Sequence, residues 1–279
     1  MLSNTTGTPN TAVGKSALQD NTTASLNTAV GTQALQSNTT ANANTGIGHA
    51  ALLLNVTGES NTAVGSSALV NNTASDNTAV GRNALNANTS GTRNTAEGSY
   101  ALDVTTTGSY NTGIGYSVLG SNTTGSKNVA LGNSALGSNT TADDNTAVGN
   151  AALLANTTGT KNTAVGANCL DANTTASYNT AVGDQAMTVN TTGSQNVAVG
   201  AYALDANTTA PNNTAVGYAA LGATTTGSRN TAVGNSALLS NTTGTSNVAI
   251  GVNSLNVNTT GDSNVAVGRS ALQKNTTAD

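Results

Sequence analysis

Asn10-Thr11-Ala12-Val13-Gly14-Lys15-Ser16-Ala17-Leu18-Gln19-Asp20-Asn21-Thr22-Thr23-Ala24-Ser25-Leu26 is a 17-residue stretch that the chain repeats with small variations along its length. The opening pentad returns at Asn27, Asn44 and Asn61, comes one residue early at Asn77, and then recurs every 17 residues from Asn94 to Asn264. That makes 16 repeats of the pattern N-T-A-V-G-x-x-A-L-x-x-N-T-T-G-x-x. Self-similarity at a short fixed period marks an architecture of stacked, nearly identical coils. The one missing residue falls between Leu69 and Asn77, in the N-T-T turn, where a connection absorbs it.

With the first Asn as position 1, each position has a physical reading. Positions 1 and 5 are Asn and Gly in every repeat; position 4 is Val, Ile or Leu except at Glu97; position 9 is Leu except at Met187. The β-branched residues at positions 2 and 4 alternate with period two, which predicts a short strand with both on one face. That face is expected to be the interior, with position 3 on the opposite side. A second short strand is expected over positions 7 to 10, its Leu inward. The predicted core is then Val13, Leu18, Val30, Leu35, Val148, Leu153, Val182, Val233 and Leu238. Gly14, Gly31, Gly149 and Gly234 suit turns that need positive φ. Asn10, Asn27, Asn145, Asn162 and Asn179 are expected to stack as an amide ladder.

A 17-residue repeat is too short for a helix pair and lacks helical periodicity. One repeat cannot bury its two or three apolar side chains alone, whereas stacking like on like does so. The expected fold is therefore all-β: a β-solenoid, or β-roll, of about 16 coils, with two short strands per coil and no distinct caps. Residues 1–9 read as a partial coil and 10–279 as one continuous repeat domain. At about 4.8 Å per coil the stack is expected to extend on the order of 77 Å.

Composition narrows the function classes. The chain has no Phe or Trp, 7% charged residues and a net charge of −4. Its eight Lys and Arg are scattered, so phosphate neutralisation on a nucleic acid is not expected. One cysteine, Cys169, allows neither an intramolecular disulfide nor a zinc cluster. No run of 18 apolar residues is present, so no membrane-inserted helix is expected. The start carries no signal-peptide pattern, and an extracellular, virion or cell-surface location implies an export route not written in these residues.

An enzyme needs unlike reactive side chains converging on one place. His49, the only histidine, sits at variable position 6, and Asp103, Asp171 and Asp205 share position 10 in non-adjacent repeats. No catalytic set, metal set or cofactor site is expected. Glu97 stands out at a position read as interior, as either a local site or a tolerated defect; if buried without a partner it is costly, and replacing it with Val is expected to raise stability. The Asn-x-Thr sequons at Asn21, Asn38 and their equivalents read as glycan acceptors or as turn caps.

Two kinds of contact surface follow. Positions 3 and 8 hold almost only small residues, which suit either lateral packing of a second copy or a thin two-layer interior. Both ends of the array are ordinary repeat sequence, and unpaired strand edges template pairing with another chain. End-to-end self-assembly is one expectation and a piece of a longer fibre the other. Stacked N-T-T turns also place Thr22, Thr39, Thr140, Thr157, Thr174 and Thr191 in a regular surface ladder.

At N-T-A-V-G-x-x-A-L the chain resembles the head repeats of trimeric autotransporter adhesins. It resembles more closely the N-T-A-V-G-x-x-A-L-x-x-N-T-T-G arrays of phage tail-fibre-like and bacterial surface proteins. In the adhesin heads the motif implies a β-roll, three chains around an axis, and attachment to host surfaces; the expected partners here are other copies of the chain and a cell-surface glycan or other surface. This repeat is longer than the usual adhesin-head repeat, and these residues themselves read as neither a coiled-coil stalk nor an anchor. The leading expectation is a structural or adhesive fibre element. The alternative is a binding surface for a periodic target, ice or crystalline polysaccharide, through Thr and Asn ladders.

Overall fold

The computed structural model describes residues 3–279; Met1 and Leu2, the first residues of the expected partial coil, lie outside the described residues. The protein is an all-β solenoid with about 17 residues per coil and no helix among the described residues. It divides into two compact units, up to Ala142 and from Asp143. The N-terminal unit carries β1 (Thr11–Val13), β2 (Thr28–Val30), β3 (Thr45–Ile47), β4 (Thr62–Val64), β5 (Thr78–Val80), β6 (Thr95–Glu97), β7 (Thr112–Ile114) and β8 (Val129–Leu131). The C-terminal unit carries β9 (Thr146–Val148), β10 (Thr163–Val165), β11 (Thr180–Val182), β12 (Val197–Val199), β13 (Thr214–Val216), β14 (Thr231–Val233), β15 (Val248–Ile250) and β16 (Val265–Val267).

Within each unit every strand pairs in parallel with the next, like residue on like: Thr11 with Thr28, Ala12 with Ala29, Val13 with Val30. The register survives the short fourth repeat, where Thr62 still meets Thr78. Asn72 there donates from Nδ2 to the Ala74 carbonyl two residues on (2.7 Å), whereas Asn38 reaches Ala41, three residues on. Thr73 keeps its place, donating from Oγ1 to the Thr89 carbonyl (2.7 Å). The missing residue is therefore the second Thr of the turn.

One strand forms per coil, where two were expected. Positions 7 and 9 adopt left-handed backbone in coil after coil, as at Ser16 (φ 57°) and Leu18 (φ 47°), which breaks an extended chain. The coils still hydrogen-bond there: Leu18 N–H donates to the Ala34 carbonyl (3.1 Å), and Gln33 N–H to the Lys15 carbonyl (2.8 Å). A non-glycine residue at positive φ costs about 1–3 kcal/mol. Full burial of a Leu side chain contributes about 1.5–3 kcal/mol, so the position-9 column, fully buried from Leu18 to Leu255, offsets its own strain.

The pleat is inverted relative to the expectation. Position 3, the Ala of T-A-V, is the inward residue: Ala29, Ala147 and Ala181 have no exposed surface. Positions 2 and 4 face outward. Of the predicted core, Leu18, Leu35, Leu153 and Leu238 are fully buried. Val13, Val30 and Val233 are exposed, at 58%, 36% and 37%, and Val148 and Val182 are partly exposed. The reason is thickness. The interior is a single layer of Leu packed against Ala, and there is room at position 3 for a methyl group and no more. Where Gly113 replaces that Ala, an added Cβ would lie 2.7 Å from Leu102 Cδ1 and 3.0 Å from Val118 Cγ1. Val118 is itself the larger residue at a position usually held by Ala. The small stripes at positions 3 and 8 are thus interior fittings, and the lateral packing surface drawn from them is withdrawn: Ala17, Ala34 and Ala152 are buried.

Candidate contact surface

The sheet face turned away from the core is built from two columns, position 2 and position 4. In the C-terminal unit the position-4 column runs Val148, Val165, Val182, Val199, Val216, Val233, Ile250 and Val267, in register on β9 to β16. Beside it the position-2 column is Thr, with Val at Val197, Val248 and Val265. Neither column of this unit contains a charge. The N-terminal unit has the same two columns on β1 to β8, interrupted by Glu97 between Val80 and Ile114. Glu97 is exposed, which corrects the interior position expected for it.

Gly at position 5 ends each strand and turns the chain away from this face. Gly14, Gly31, Gly149 and Gly234 have φ of +130°, +135°, +139° and +137°. A Cβ at Gly149 would meet the Gly166 carbonyl oxygen at 2.3 Å, so both the dihedral and the stacked coil demand glycine.

Asn ladders hold the coil opposite and beside the sheet. Asn27 N–H donates to Asn10 Oδ1 (2.9 Å) while Asn27 Nδ2 donates to the Ala41 carbonyl (3.0 Å). The same pattern links Asn162 to Asn145 and Asn179 to Asn162. The second ladder, at position 12, runs from amide to amide: Asn38 Nδ2 donates to Asn21 Oδ1 (3.2 Å) and to Ala41 O (3.0 Å). These position-12 residues are the sequon asparagines. Asn21, Asn38, Asn173 and Asn190 are fully buried with the amide nitrogen engaged, so the folded coil leaves no room for a glycan on them.

The position-13 Thr ladder is half-buried rather than an open surface. Thr22 Oγ1 donates to the Thr39 carbonyl (3.1 Å), Thr157 to Thr174 (3.1 Å), Thr174 to Thr191 (3.3 Å) and Thr191 to Thr208 (3.1 Å). Those hydroxyl protons are committed to the backbone of the next coil. Thr39 and Thr140 are also half-buried. The exposed turn residues are the following threonines, Thr23, Thr40, Thr158 and Thr175.

Cations and tyrosines gather at the two ends of the strands. Arg93 lies over the Tyr110 ring at 5.3 Å and its guanidinium donates to the Tyr110 hydroxyl; Lys161 lies over Tyr178 at 5.2 Å. Both pairs come from residues just before the strand, one coil apart. Just after the strand, Arg82 lies over Tyr100 at 5.4 Å, and Tyr100–Tyr116 and Tyr202–Tyr218 form edge-to-face pairs at 6.0 and 5.8 Å. Position-by-position reading overlooked these pairs. The signal was available as Tyr and Arg or Lys spaced 16 to 18 residues apart, which stacking makes neighbours.

Burial pushes the Asp103, Asp171 and Asp205 carboxyls above their ordinary value. It also pushes the Cys169 thiol up to about 12, and this buried thiol donates to the Ala181 carbonyl (3.2 Å). Among the described residues no three His, Cys, Asp or Glu side chains gather as a metal-binding group. His49 is exposed. What this arrangement offers chemically, within each unit, is a regular, largely uncharged surface edged by aromatic and cationic side chains. Neither the protein-family models nor the curated proteins compared with this chain give a match.

Proposed function

We propose that this protein is a non-enzymatic structural or adhesive element of an extracellular fibre or of a virion or cell surface, and that it works through the outer face of its strands. The observation that carries this reading is the outward apolar column on the C-terminal unit, eight Val and Ile side chains in register, five of them exposed and three partly exposed. Contiguous exposed apolar surface on a water-soluble chain marks a site of contact. The resemblance to adhesin-head and tail-fibre-like repeats agrees with it. The partner is another copy of the chain or a surface to which the fibre adheres. Electron microscopy over a concentration series tests this, using the wild type and a variant with Val165, Val182, Val199 and Val216 changed to Thr. Fibres or bundles in the wild type that are lost in the variant are expected. A wild type that stays single and inert at every concentration refutes the reading.

A second reading is a binding surface for a periodic solid, ice or a crystalline polysaccharide. A specific observation favours it: Thr146, Thr163, Thr180, Thr214 and Thr231 stand on strands beside the Val column, not in a turn. The array then repeats at about 4.8 Å between coils and about 6.6 Å along the strand. Thermal hysteresis and retention on microcrystalline cellulose or chitin separate these targets, and absence of all three ends this version.

A further inference from the structure

Glu97 is the single charge in the two outward columns of either unit. It does not stand alone. Three of the six tyrosines and two of the four arginines fall within residues 82–116, on the coils of β5 to β7. Stacking places them on the coils that carry and flank Glu97, Arg93 and Tyr110 before the strand and Tyr100 and Tyr116 after it. Ile114 pairs with Glu97, and Gly115 N–H donates to the Glu97 carbonyl (2.7 Å). Tyr116 therefore starts one coil over and two residues along, just past the turn at Gly115. Tyr100 N–H donates to the Arg82 carbonyl (2.9 Å), and Tyr100 packs edge-to-face on Tyr116. At the other end of the strand stand Arg93 and Tyr110, ring under guanidinium. Tyr110 and Tyr116 remain about half exposed, at 49% and 54%.

We propose that this cluster is a binding subsite for a neutral saccharide. The ligand class follows from what the groups admit together. Arg82 and Arg93 lie over Tyr100 and Tyr110, so a cationic ligand on the remaining open ring, Tyr116, meets the Arg82 charge that lies over its neighbour Tyr100. The Glu97 carboxylate, with Asp76 close to Arg93 at 3.9 Å, opposes an anion. A ligand that is uncharged, carries C–H faces to lie on exposed tyrosine and offers hydroxyls to a carboxylate and a guanidinium satisfies every group present. A pyranose chain has those properties. The shape is open, which suits an internal stretch of a chain rather than a buried end. This subsite lies in the N-terminal unit and stands whether or not the Thr/Val columns contact a partner.

Saturation-transfer NMR on the full chain tests it with cellohexaose, chitohexaose and maltohexaose, and with tetramethylammonium and methanesulfonate as charged probes. Transfer to at least one hexasaccharide is expected. Because hydrogen bonds to a charged group are among the stronger ones, Glu97→Gln should weaken that binding roughly tenfold or more, and Tyr116→Ala by a similar factor. Both positions are exposed, so an unchanged melting curve shows that the loss is local. Leu54→Ala, at an exposed turn position, should bind as the wild type does. The proposal is overturned by no transfer to any of the three hexasaccharides, by preferential binding of either charged probe, or by saccharide binding indifferent to both substitutions.

Discussion

Thr224→Asn should make the protein more stable, and the size of the effect can be worked from the amide ladder. Position 12 is Asn in most coils, and each Asn Nδ2 donates both to the Asn Oδ1 of the preceding coil and to its own position-15 carbonyl. Asn190 shows the pattern, reaching Asn173 Oδ1 (3.3 Å) and Gly193 O (3.0 Å). Thr224 breaks it. Asn207 Oδ1, buried one coil before, is left with no donor. On the far side Asn241 Nδ2 lies 3.5 Å from Thr224 Oγ1, compared with 3.1 Å for Asn258 to Asn241 Oδ1 in a regular coil. A buried acceptor without a partner costs about 1–3 kcal/mol. Asn at 224 supplies the missing donor, restores a donor to Gly227 O and offers Asn241 a better acceptor. A gain of about 1–3 kcal/mol corresponds to a rise in Tm of about 2–6 °C. Differential scanning calorimetry and urea titration measure it. The same defect recurs at Thr105, which leaves Asn88 Oδ1 unpartnered, but Thr105 Oγ1 donates to the Asn122 carbonyl (3.0 Å) and that bond is forfeited, so Thr105→Asn should gain less. A Thr224→Asn protein with unchanged or lower Tm would falsify the view that ladder continuity, rather than apolar burial alone, sets coil stability.

The remaining predictions concern the core, the acids and the exposed carboxylate. Gly113→Ala should destabilise by about 1–3 kcal/mol through overpacking against Leu102 and Val118, and adding Val118→Ala should recover most of it; a chemical-denaturation double-mutant cycle with no coupling would sink this account. The Asp103, Asp171 and Asp205 carboxyls have folded values raised above 3.8 by burial. Such groups hold their protons more tightly in the fold, so their contribution favours folding at and below the unfolded value and is lost as pH rises through the raised one. Melting should therefore show a stabilising component on going from about pH 7 toward about pH 4, and changing all three to Asn should remove it; an unaltered pH profile in that variant contradicts the assignment. Glu97→Val should shift stability by no more than about 1 kcal/mol, because the side chain is exposed and only strand propensity changes. A much larger rise in Tm would mean that the carboxylate is desolvated in the fold.

The stack, its register and its turn glycines were legible because each is dictated by the period alone. Gly14 and its equivalents had to be glycine for a backbone reason that any 17-residue coil with this turn shares. The Leu column was legible as the largest apolar residue of each repeat. The orientation of the strand was not. Period-two alternation in T-A-V states that Ala opposes Thr and Val; it does not state which side is the interior. Choosing the bulkier side assumes a core with room to fill. Here Leu102 and Val118 already fill it, and Gly113 marks how little remains. The expected second strand was lost for a related reason. Leu18 is buried, as a strand residue would be, but it gets there at φ 47°, a conformation that no apolar pattern announces. Glu97 then changed from an anomaly of the core to a feature of the surface once the strand was turned over.

That reversal leaves the position-4 column as the residue choice that the interior does not explain. Strand propensity accounts for β-branched residues on a half-exposed sheet, and it accounts for Thr as well as for Val. Position 2, on the same face and two residues away, is Thr in 12 repeats and Val in 4. Position 4 is never Thr: it is Val, Ile or Leu in 15 repeats and Glu in one. If the fold needed only a β-branched side chain at each outward position, the two columns would sample the same pair of residues. Position 6, also on the surface, accepts Lys15, His49, Arg82, Tyr116 and Asp184, so these coils do not reject polarity wherever they meet solvent. The bias toward apolar side chains at position 4 is what the proposed contact on this column would account for. On that argument the core specifies that the chain stacks, and the outward columns specify what the stack meets.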